Sequence, residues 1–485
     1  MTFTQALDNI GRAVKKITDS RYYLWGVNLL ILLCWLSDLF FVGAAAAILC
    51  FIVILFTQKN INGIMPFFAG ILFCIGDIGG EIGHSAIVPD FYDTFLVMLW
   101  CFSPFLAGGM IYFWVKNKIR LACGTLTSGL LVFFAVALLG GAGTRLFTLS
   151  GFVTVLLYAL VIVFAYLFLR SALDFKEIGF KKTFCLCFLA ASLVVATQIV
   201  IFYLRAEDFK RAFTEKLLYL GWGIGATAGQ AIVMFLPFVF YLLLTAEKKT
   251  AVVLYHLAIL YCLAGLVLAR ARANVFAMAL IVVPLYVVTS LKTPKGGRKK
   301  TSLYTMGAIV ALFAALLIAY RDTAGEYFGI LIKPNWGDDI SSGRWELWAD
   351  GWNAFRQSPI LGKSFFYTGG FNFGYIEEGF IYWYWYHNTP LQVLVNTGVA
   401  GFAAFSYYMG TKYRTYARKG DFLNFYFFMS LLGAEIIGLL DINIFTIGYV
   451  YYMLLFVTGA EQLVDPRGAY WLGARHTVNA EGQGA

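Results

Sequence analysis

The chain has 485 residues, of which 60% are hydrophobic and 18% aromatic, while 13% are charged. Soluble domains carry about 25% charged residues and about 45–50% apolar ones, so this composition excludes a soluble protein and indicates an integral membrane protein. The net charge of +10 is then expected to face the anionic headgroups of a lipid bilayer rather than nucleic acid.

The first 21 residues predict an amphipathic helix that lies on the cytoplasmic leaflet of the membrane. Apolar side chains recur there at alternating steps of four and three residues, which places them on one helical face. They are Phe3, Leu7, Ile10, Val14 and Ile17. An unstructured tail is the alternative for this segment.

Fourteen apolar runs follow, most of them long enough to cross a bilayer as a helix. They predict an all-α polytopic membrane protein with twelve to fourteen transmembrane helices in a single domain, residues 22–462. The first two runs are short, so a re-entrant hairpin is an alternative for them. Residues 463–485 predict a frayed cytoplasmic tail. The predicted spans are 22–38, 41–57, 62–79, 95–115, 121–140, 150–169, 183–204, 218–245, 250–269, 273–291, 302–320, 388–409, 422–440 and 443–462.

The distribution of basic residues orients these spans. With the N-terminus inside, 25 of the 37 Lys and Arg residues fall in cytoplasmic segments and 12 fall in outer segments. This is the positive-inside pattern of membrane proteins. It places both termini in the cytoplasm and the large connection over residues 321–387 on the extracytoplasmic face.

A short helix is predicted in this loop over residues 342–357. Asp339 and Ser341 are its predicted N-caps, and Pro359 follows its end. Its aromatic stripe suits a helix that rests at the membrane surface. The stripe consists of Trp345, Trp348, Trp352 and Phe355.

An aromatic run continues from Phe365 to Tyr386. Aromatic faces can stack on sugar rings, and tyrosine hydroxyls can hydrogen-bond to sugar hydroxyls. Trp348 and Tyr386 are therefore candidate substrate-binding residues. The alternative for these side chains is an interfacial belt that anchors the loop to the bilayer.

The extracytoplasmic position of the loop restricts the chemistry. Nucleotide-activated sugars are cytoplasmic, so a transferase on the outer face needs a donor that is activated in the lipid, such as a polyprenyl diphosphate-linked sugar. The diphosphate leaves as a stable anion, so the protein must hold its charge and activate an acceptor hydroxyl. This requirement predicts arginines and one base rather than the paired carboxylates of a hydrolase.

Arg270 and Arg272 lie between two long apolar runs, at the outer edge of the membrane. An arginine in that position is costly unless it faces a cavity or an anion, and its planar fork suits phosphate oxygens. Two arginines that are separated by one residue cannot share a helix face, so one of them is expected to point inward. The alternative is that they extend to the lipid headgroups.

Arg344 and His387 complete the candidate set. Arg344 lies in the first turn of the loop helix, where backbone N–H groups and the helix dipole favour an anion. An ion pair with a nearby carboxylate is the alternative. His387 ends the aromatic run and is a candidate base, because histidine accepts a proton near neutral pH. A hydrogen-bonding role at the surface is the alternative for this side chain.

No metal or other cofactor is expected. All eight cysteines lie within predicted spans, which argues against both a disulfide framework and a zinc site. The outer loops contain no Asp-x-Asp pattern.

Three segments resemble the O-antigen ligase/polymerase superfamily of bacterial membrane glycosyltransferases. Residues 342–362 are similar to the family's loop motif of Ser-Gly-Arg, spaced tryptophans and Pro-x-x-Gly. Residues 386–402 are similar to its His-Asn helix start with a following Asn-x-Gly-x-x-Gly. Residues 268–275 resemble a span that carries a Ser-Arg-Gly pattern, although alanines flank Arg272 here.

The resemblance implies a C-type glycosyltransferase fold and a glycan on undecaprenyl diphosphate as the donor. It implies inverting, metal-free transfer to a saccharide or lipid-linked acceptor at a bacterial cytoplasmic (inner) membrane. It puts Arg272 and Arg344 on the diphosphate and His387 near the acceptor or the donor phosphate, as catalytic residues. Arg270 and Asn388 are the further substrate-binding candidates.

Other functions stay open at this point. Ligase and polymerase share these motifs, and the acceptor decides between them. A lipid-linked oligosaccharide flippase or another transporter is the main alternative from a different class, although such proteins usually show repeated halves and a site near the bilayer midplane. A protein-glycosylating transferase and a non-catalytic assembly or sensor protein are further alternatives.

Overall fold

The computed structural model describes residues 3–76, 89–119, 121–322, 325, 329, 343–365, 376–377, 380–381, 386–418, 421–444, 446–464 and 469–470. These residues are mostly helical. The helices are α1 (Phe3–Thr18), α2 (Arg21–Leu36), α3 (Phe40–Thr57), α4 (Met65–Gly70), α5 (Pro89–Lys116), α6 (Thr125–Ala137), α7 (Leu149–Ala172), α8 (Phe180–Arg205), α9 (Phe209–Thr214), α10 (Gly225–Thr245), α11 (Lys249–Leu268), α12 (Arg272–Lys292), α13 (Gly297–Ala319), α14 (Arg344–Gln357), α15 (Thr389–Ala417), α16 (Leu423–Gly438) and α17 (Ile447–Val464).

Short 3₁₀ turns and two-residue strands complete the described secondary structure. The 3₁₀ turns Asn62–Ile64 and Ile71–Cys74 flank α4. The strands form two antiparallel pairs, β1 with β4 and β2 with β3. They are β1 (Ala122–Cys123), β2 (Ile376–Glu377), β3 (Phe380–Ile381) and β4 (Ala469–Tyr470).

Within the described ranges, six helices are long and apolar enough to cross a membrane: α3, α7, α8, α10, α11 and α12. Shorter apolar helices accompany them, including α2, α6 and α16. Each of the fourteen predicted runs overlaps a described helix. The chain is therefore a polytopic, all-α membrane protein, as its composition predicts.

Helix α10 lies at the centre of the bundle because its sequence is apolar on almost every side. It packs against α8, α11, α12 and α16, and 78% of its apolar stretch is buried. Helices α3, α7, α11 and α12 bury only 28–33% of theirs, as expected of helices that face lipid. This central position matters for function, because the first residues of α10 reach the candidate site.

Interlocking aromatic rings hold the central helices together. Phe188 of α8, Phe238 of α10 and Phe456 of α17 are fully buried, and their ring centroids lie 4.8–5.1 Å apart. Lipid tails are as apolar as these side chains, so burial alone does not drive helices together in a bilayer. Close packing of such rings supplies the attraction instead.

The N-terminal segment forms α1 and is not an unstructured tail. Polar contacts hold the helix in place: Gln58 donates a hydrogen bond to the Gly11 carbonyl at 2.8 Å, and Lys15 pairs with Glu177 at 2.5 Å. Ile10 and Ile17, from the predicted apolar face, remain exposed. That exposure suits a helix whose apolar side meets the lipid interface.

The predicted start of one span is wrong in a way that affects the site. Residues 218–224 form a turn closed by a bridge between Tyr219 and Ile224, and α10 begins only at Gly225. Gly221 adopts a left-handed backbone with a φ of +80°, which breaks the helix there. The turn therefore precedes α10, and its residues Leu218 and Ile224 line the site.

The span predicted over residues 388–409 is also longer than expected. Helix α15 continues to Ala417 and is kinked at Gly398, where φ is +66°. A Cβ atom at Gly398 would lie 2.2 Å from the Ile360 carbonyl oxygen, so this close crossing requires glycine. The tail predicted as frayed likewise contains a strand, because Ala469–Tyr470 pairs with Ala122–Cys123.

Candidate functional site

A cleft of about 450 Å³ lies where the N-terminal ends of four helices meet. Helices α10, α12 and α14 contribute their first residues, Gly225, Arg272 and Arg344, and α15 begins two residues after His387. The first N–H groups of a helix lack intrahelical acceptors, and the helix dipole is positive at this end. Four such ends in one place favour an anion.

Close contacts hold two of these helix ends together. Asn274, which is buried in the first turn of α12, donates a hydrogen bond to the Ala226 carbonyl at 2.6 Å. A Cβ atom at Gly225 would lie 2.2 Å from the Ala269 carbonyl oxygen, so the start of α10 approaches the end of α11 only because residue 225 is glycine.

The cleft carries a strongly positive lining. Its basic side chains are those of Lys216, Arg270, Arg272 and Arg344. Against these four, the described lining contains a single carboxylate, that of Asp441. Across the described part of the chain, no group of three His, Cys, Asp or Glu side chains lies close enough together to hold a metal ion.

Arg270 is committed to the protein backbone. Its Nη1 donates a hydrogen bond to the Phe213 carbonyl at 2.7 Å and another to the Thr214 carbonyl, at the end of α9. Its guanidinium also lies over the Phe213 ring, 5.7 Å from the centroid. Carbonyls at a helix end need such donors. Both neighbouring arginines line the cleft, contrary to the expectation that only one points inward, and Arg270 is the one that donates to these carbonyls.

Three residues that line the cleft have an unusual backbone. Lys216, Arg270 and His387 have φ values of +57°, +51° and +47°. Only five non-glycine residues with positive φ occur in the described chain, so three of the five meet at this cleft. Such conformations cost about 1–3 kcal/mol each and cluster at functional sites, where the surrounding structure maintains them.

His387 forms a hydrogen-bonded pair with Asp441. The His387 Nδ1 atom lies 3.0 Å from Asp441 Oδ1, and the His387 side chain is 41% exposed. The same carboxylate oxygen accepts the Ile442 N–H at 2.9 Å, which fixes its position. In the neutral tautomer in which Nδ1 donates to Asp441, the other ring nitrogen, Nε2, is a hydrogen-bond acceptor.

Hydrogen bonds join the start of α15 to the connection between α16 and α17. The Thr389 hydroxyl donates to the Asp441 carbonyl at 3.2 Å and accepts the Asn443 N–H at 3.0 Å. Gln230 of α10 in turn donates to the Asn443 side chain at 2.7 Å. These contacts tie the start of α15, next to His387, to the connection between α16 and α17 and, through Asn443, to α10.

Asn388 has a structural task in this arrangement. Its side-chain oxygen accepts the Leu391 N–H at 2.9 Å as the N-cap of α15, and its side-chain nitrogen donates to the Leu439 carbonyl at 3.0 Å. Asn388 does not line the cleft. Because Asn388 directly follows His387, these contacts fix the backbone next to His387.

The predicted aromatic ligands lie outside the cleft lining. Tyr386 is 1% exposed and packs between α14 and α15 with Ala354 and Val395. Trp348 is half-buried, and its ring centroid lies 5.0 Å from that of the exposed Trp345. Tyr386 is thus a core residue, while the tryptophans of α14 form a surface beside the cleft.

The start of α14 also differs from the prediction. The N-cap is Gly343, with a φ of +80°, and the predicted caps Asp339 and Ser341 lie outside the described residues. The face of α14 that packs inward carries the small residues Gly351 and Ala354 rather than the tryptophan stripe. Small side chains let α14 approach α15 closely, and this approach brings Arg344 to the cleft.

Sequence reasoning missed Lys216 and Asp441. Each is a charged residue in a connection between apolar runs, Lys216 just before the run that contains α10 and Asp441 between α16 and α17. A charged residue in so short a connection is the signal that was available for Asp441. Nothing in the local pattern links Lys216 to residues 56 positions further along the chain.

Residues 217–406 match the family model described as O-Antigen ligase. A comparison with curated proteins finds no match. The matched segment contains Arg272, Arg344 and His387, whereas Lys216 and Asp441 lie beyond its two ends. The match confirms the resemblance to the O-antigen ligase/polymerase superfamily that the sequence motifs show, because residues 217–406 correspond to the O-antigen ligase domain.

Proposed function

We propose that this protein transfers a glycan from an undecaprenyl diphosphate-linked donor to an acceptor hydroxyl at the extracytoplasmic face of the bacterial inner membrane. The observation that carries the proposal is the cleft, where Lys216, Arg272 and Arg344 meet helix N-termini beside the His387–Asp441 pair. A diphosphate leaving group needs such a concentration of positive charge, and an acceptor hydroxyl is activated by a base.

Arg272 and Arg344 are the proposed ligands of the diphosphate. They begin two different helices, α12 and α14, so they can hold the group from two sides. Each guanidinium can donate two parallel hydrogen bonds to phosphate oxygens. Negative charge on the diphosphate grows as the bond to the sugar breaks, so these contacts are stronger in the transition state than in the ground state.

His387 is the proposed base. Its Nε2 accepts the proton of the acceptor hydroxyl while the acceptor oxygen bonds to the anomeric carbon of the sugar. The bond from that carbon to the diphosphate oxygen breaks on the opposite side, which inverts the configuration. The proton ends on His387, beside the carboxylate of Asp441, and the lipid diphosphate leaves as the anion. The protein's own cations stabilise this anion, so the scheme uses no metal ion.

The acceptor distinguishes two forms of this function. A ligase transfers the glycan to a different saccharide acceptor, and a polymerase uses a second lipid-linked glycan. The tryptophans Trp345 and Trp352 are exposed on α14, where they can stack on either kind of sugar. Ligase activity is the form we favour, because the family model is described by that activity.

The proposed topology has fourteen spans, both termini in the cytoplasm and residues 321–387 outside. A cysteine at the exposed Asp350 of α14, introduced into a cysteine-free variant, is expected to react with an impermeant maleimide in intact cells. A cysteine at Lys300, in the proposed cytoplasmic loop, serves as the matched control and should react only after the cells are broken. The reverse labelling pattern would exclude both the orientation and a lipid-linked donor on the outer face.

Lys216 is expected to make donor binding depend on pH. Burial, together with the guanidinium groups of Arg272, Arg270 and Arg344, lowers the pKa of Lys216 to about 8. The ammonium is charged below that pH and neutral above it, so the cleft loses a positive charge as the pH rises through about 8. The KM for the anionic donor should therefore rise between about pH 7 and about pH 9.

Two variants isolate this effect. Lys216→Arg keeps its charge over the whole range and should remove the rise in KM, because arginine does not lose its proton there. Lys216→Met lacks the charge at every pH and should show the high KM throughout. If the wild-type KM does not change over this range, Lys216 does not contact the donor's charge.

A further inference from the structure

A second cationic cavity lies at the opposite end of α15 from His387. Its volume is about 510 Å³, and it lies between the start of α6 and the last turns of α7, α15 and α17. Arg170, Arg414 and Arg418 line it, and Glu461 is the one carboxylate among its described lining residues. The side chains of the cavity therefore carry a net charge of +2, and the proposed transfer reaction uses none of them.

Glu461 does not neutralise the charges of Arg414 and Arg418. Its carboxylate already accepts a hydrogen bond from Tyr166 at 2.6 Å and one from the Leu126 N–H at 2.9 Å, and it lies 3.2 Å from Arg170 Nε. The side chains of Arg170 and Glu461 are almost completely buried. Arg414 and Arg418 are instead exposed at the end of α15, and neither forms an ion pair with a described residue.

Thr415 adds a polar group that points to a ligand. Its side chain is 1% exposed and lines the cavity, and its hydroxyl has no hydrogen-bond partner in the described part of the chain. Thr411, one turn earlier, donates its hydroxyl to the Tyr408 carbonyl at 2.8 Å in the usual way of helical threonines. A buried hydroxyl without a partner is costly, and a phosphate oxygen in the cavity would accept its hydrogen bond.

An exposed stripe leads along α15 into this cavity. The exposed residues recur at steps of three, four or five, which keeps them on one face of the helix. They include Val399, Phe402, Ala403, Ser406, Tyr407, Gly410 and Arg414. The stripe is apolar and aromatic along most of its length and ends in positive charge, which matches a molecule with apolar chains and an anionic head.

We propose that this cavity binds the phosphate headgroup of an anionic phospholipid, whose acyl chains lie along the exposed face of α15. Basic pockets between transmembrane helices recognise such headgroups, and the positive-inside orientation places this end at the cytoplasmic leaflet. The bound lipid would hold the C-terminal end of α15 in place, and His387 lies just before the N-terminal end of the same helix. This proposal does not depend on the transfer reaction.

The test uses the purified full-length protein in a neutral detergent. Dioleoyl phosphatidylglycerol, phosphatidylcholine with the same chains, or inorganic phosphate is added, and the bound molecules are counted by native mass spectrometry. We expect the wild type to retain phosphatidylglycerol on the order of tenfold more strongly than phosphatidylcholine. The double variant Arg414→Gln/Arg418→Gln is expected to lose this preference.

A charge-matched control separates the cavity from general basicity. The double variant Lys295→Gln/Lys300→Gln removes the same charge from exposed positions outside the cavity and should keep the preference. Melting temperatures show that each variant is folded, and Thr415→Val provides a second variant with an unchanged net charge that should also weaken retention. Equal retention of the two lipids by the wild type would overturn the proposal. If inorganic phosphate alone binds as strongly as phosphatidylglycerol, the assignment of the ligand as a lipid would be overturned.

Discussion

Replacing Arg272 or Arg344 with lysine is expected to reduce glycan transfer about a hundredfold or more while the protein still folds. Lysine keeps the positive charge but cannot present two N–H donors in one plane to phosphate oxygens. Removing one such donor from a preorganised site costs about 2.7–4 kcal/mol of transition-state stabilisation. The measurement is the rate of transfer from a purified lipid-linked glycan, at equal amounts of folded protein in the membrane.

Two other arginines serve as controls for these variants. Arg211→Lys changes an exposed arginine on α9 whose ion pair with Glu215 is worth little, so near wild-type transfer is expected. Arg270→Lys should lower the thermal stability more than it lowers transfer, because Arg270 serves the carbonyls at the end of α9. Near-normal transfer in both Arg272→Lys and Arg344→Lys would exclude the diphosphate clamp.

Replacing His387 with alanine is expected to abolish transfer while binding of the donor persists. The alanine variant lacks the base, but Arg272 and Arg344 still hold the diphosphate. General bases contribute about 10²–10⁴ in rate, so kcat should fall by at least a hundredfold. Donor binding is measured separately, as thermal stabilisation of the protein by the lipid-linked glycan.

Two conservative variants separate a base from a positioning residue. His387→Gln keeps the capacity for hydrogen bonding without basicity and should be as inactive as the alanine variant. Asp441→Asn keeps the shape of the pair but removes the charge that stabilises protonated His387, so it should lower kcat and leave the donor KM nearly unchanged. Asp350→Asn, on the exposed face of α14, is the control. High activity of His387→Gln would leave His387 only a positioning role.

The sequence anticipates much of this cleft because membrane topology restricts where residues can meet. The predicted topology puts Arg272, Arg344 and His387 each at the outer end of an apolar run or in the outer loop. Helices that cross the same bilayer bring such ends to one face, even when the residues are 115 positions apart in the chain. Their meeting in one cleft therefore follows from the hydropathy and charge patterns, together with the motifs.

Other features depend on tertiary contacts that periodicity cannot show. Helical spacing indicates that Arg270 and Arg272 face different ways, but only the structure shows that Arg270 donates to the carbonyls at the end of α9 while both arginines line the cleft. Tyr386 belongs to an aromatic run that favours a sugar platform, yet the small residues of α14 let it pack into the core. The pairing of Asp441 with His387 joins residues 54 positions apart through the packing of α15 and α16.

The most direct test of the proposed function follows both products of one reaction. The purified protein in lipid nanodiscs is given an undecaprenyl diphosphate-linked glycan and a saccharide acceptor, and the free lipid diphosphate and the extended acceptor are both quantified. Our account predicts that the two products appear in equal amounts and that both disappear in the double variant Arg272→Lys/Arg344→Lys. An intact donor after incubation with protein that binds it would contradict the account and favour a transporter.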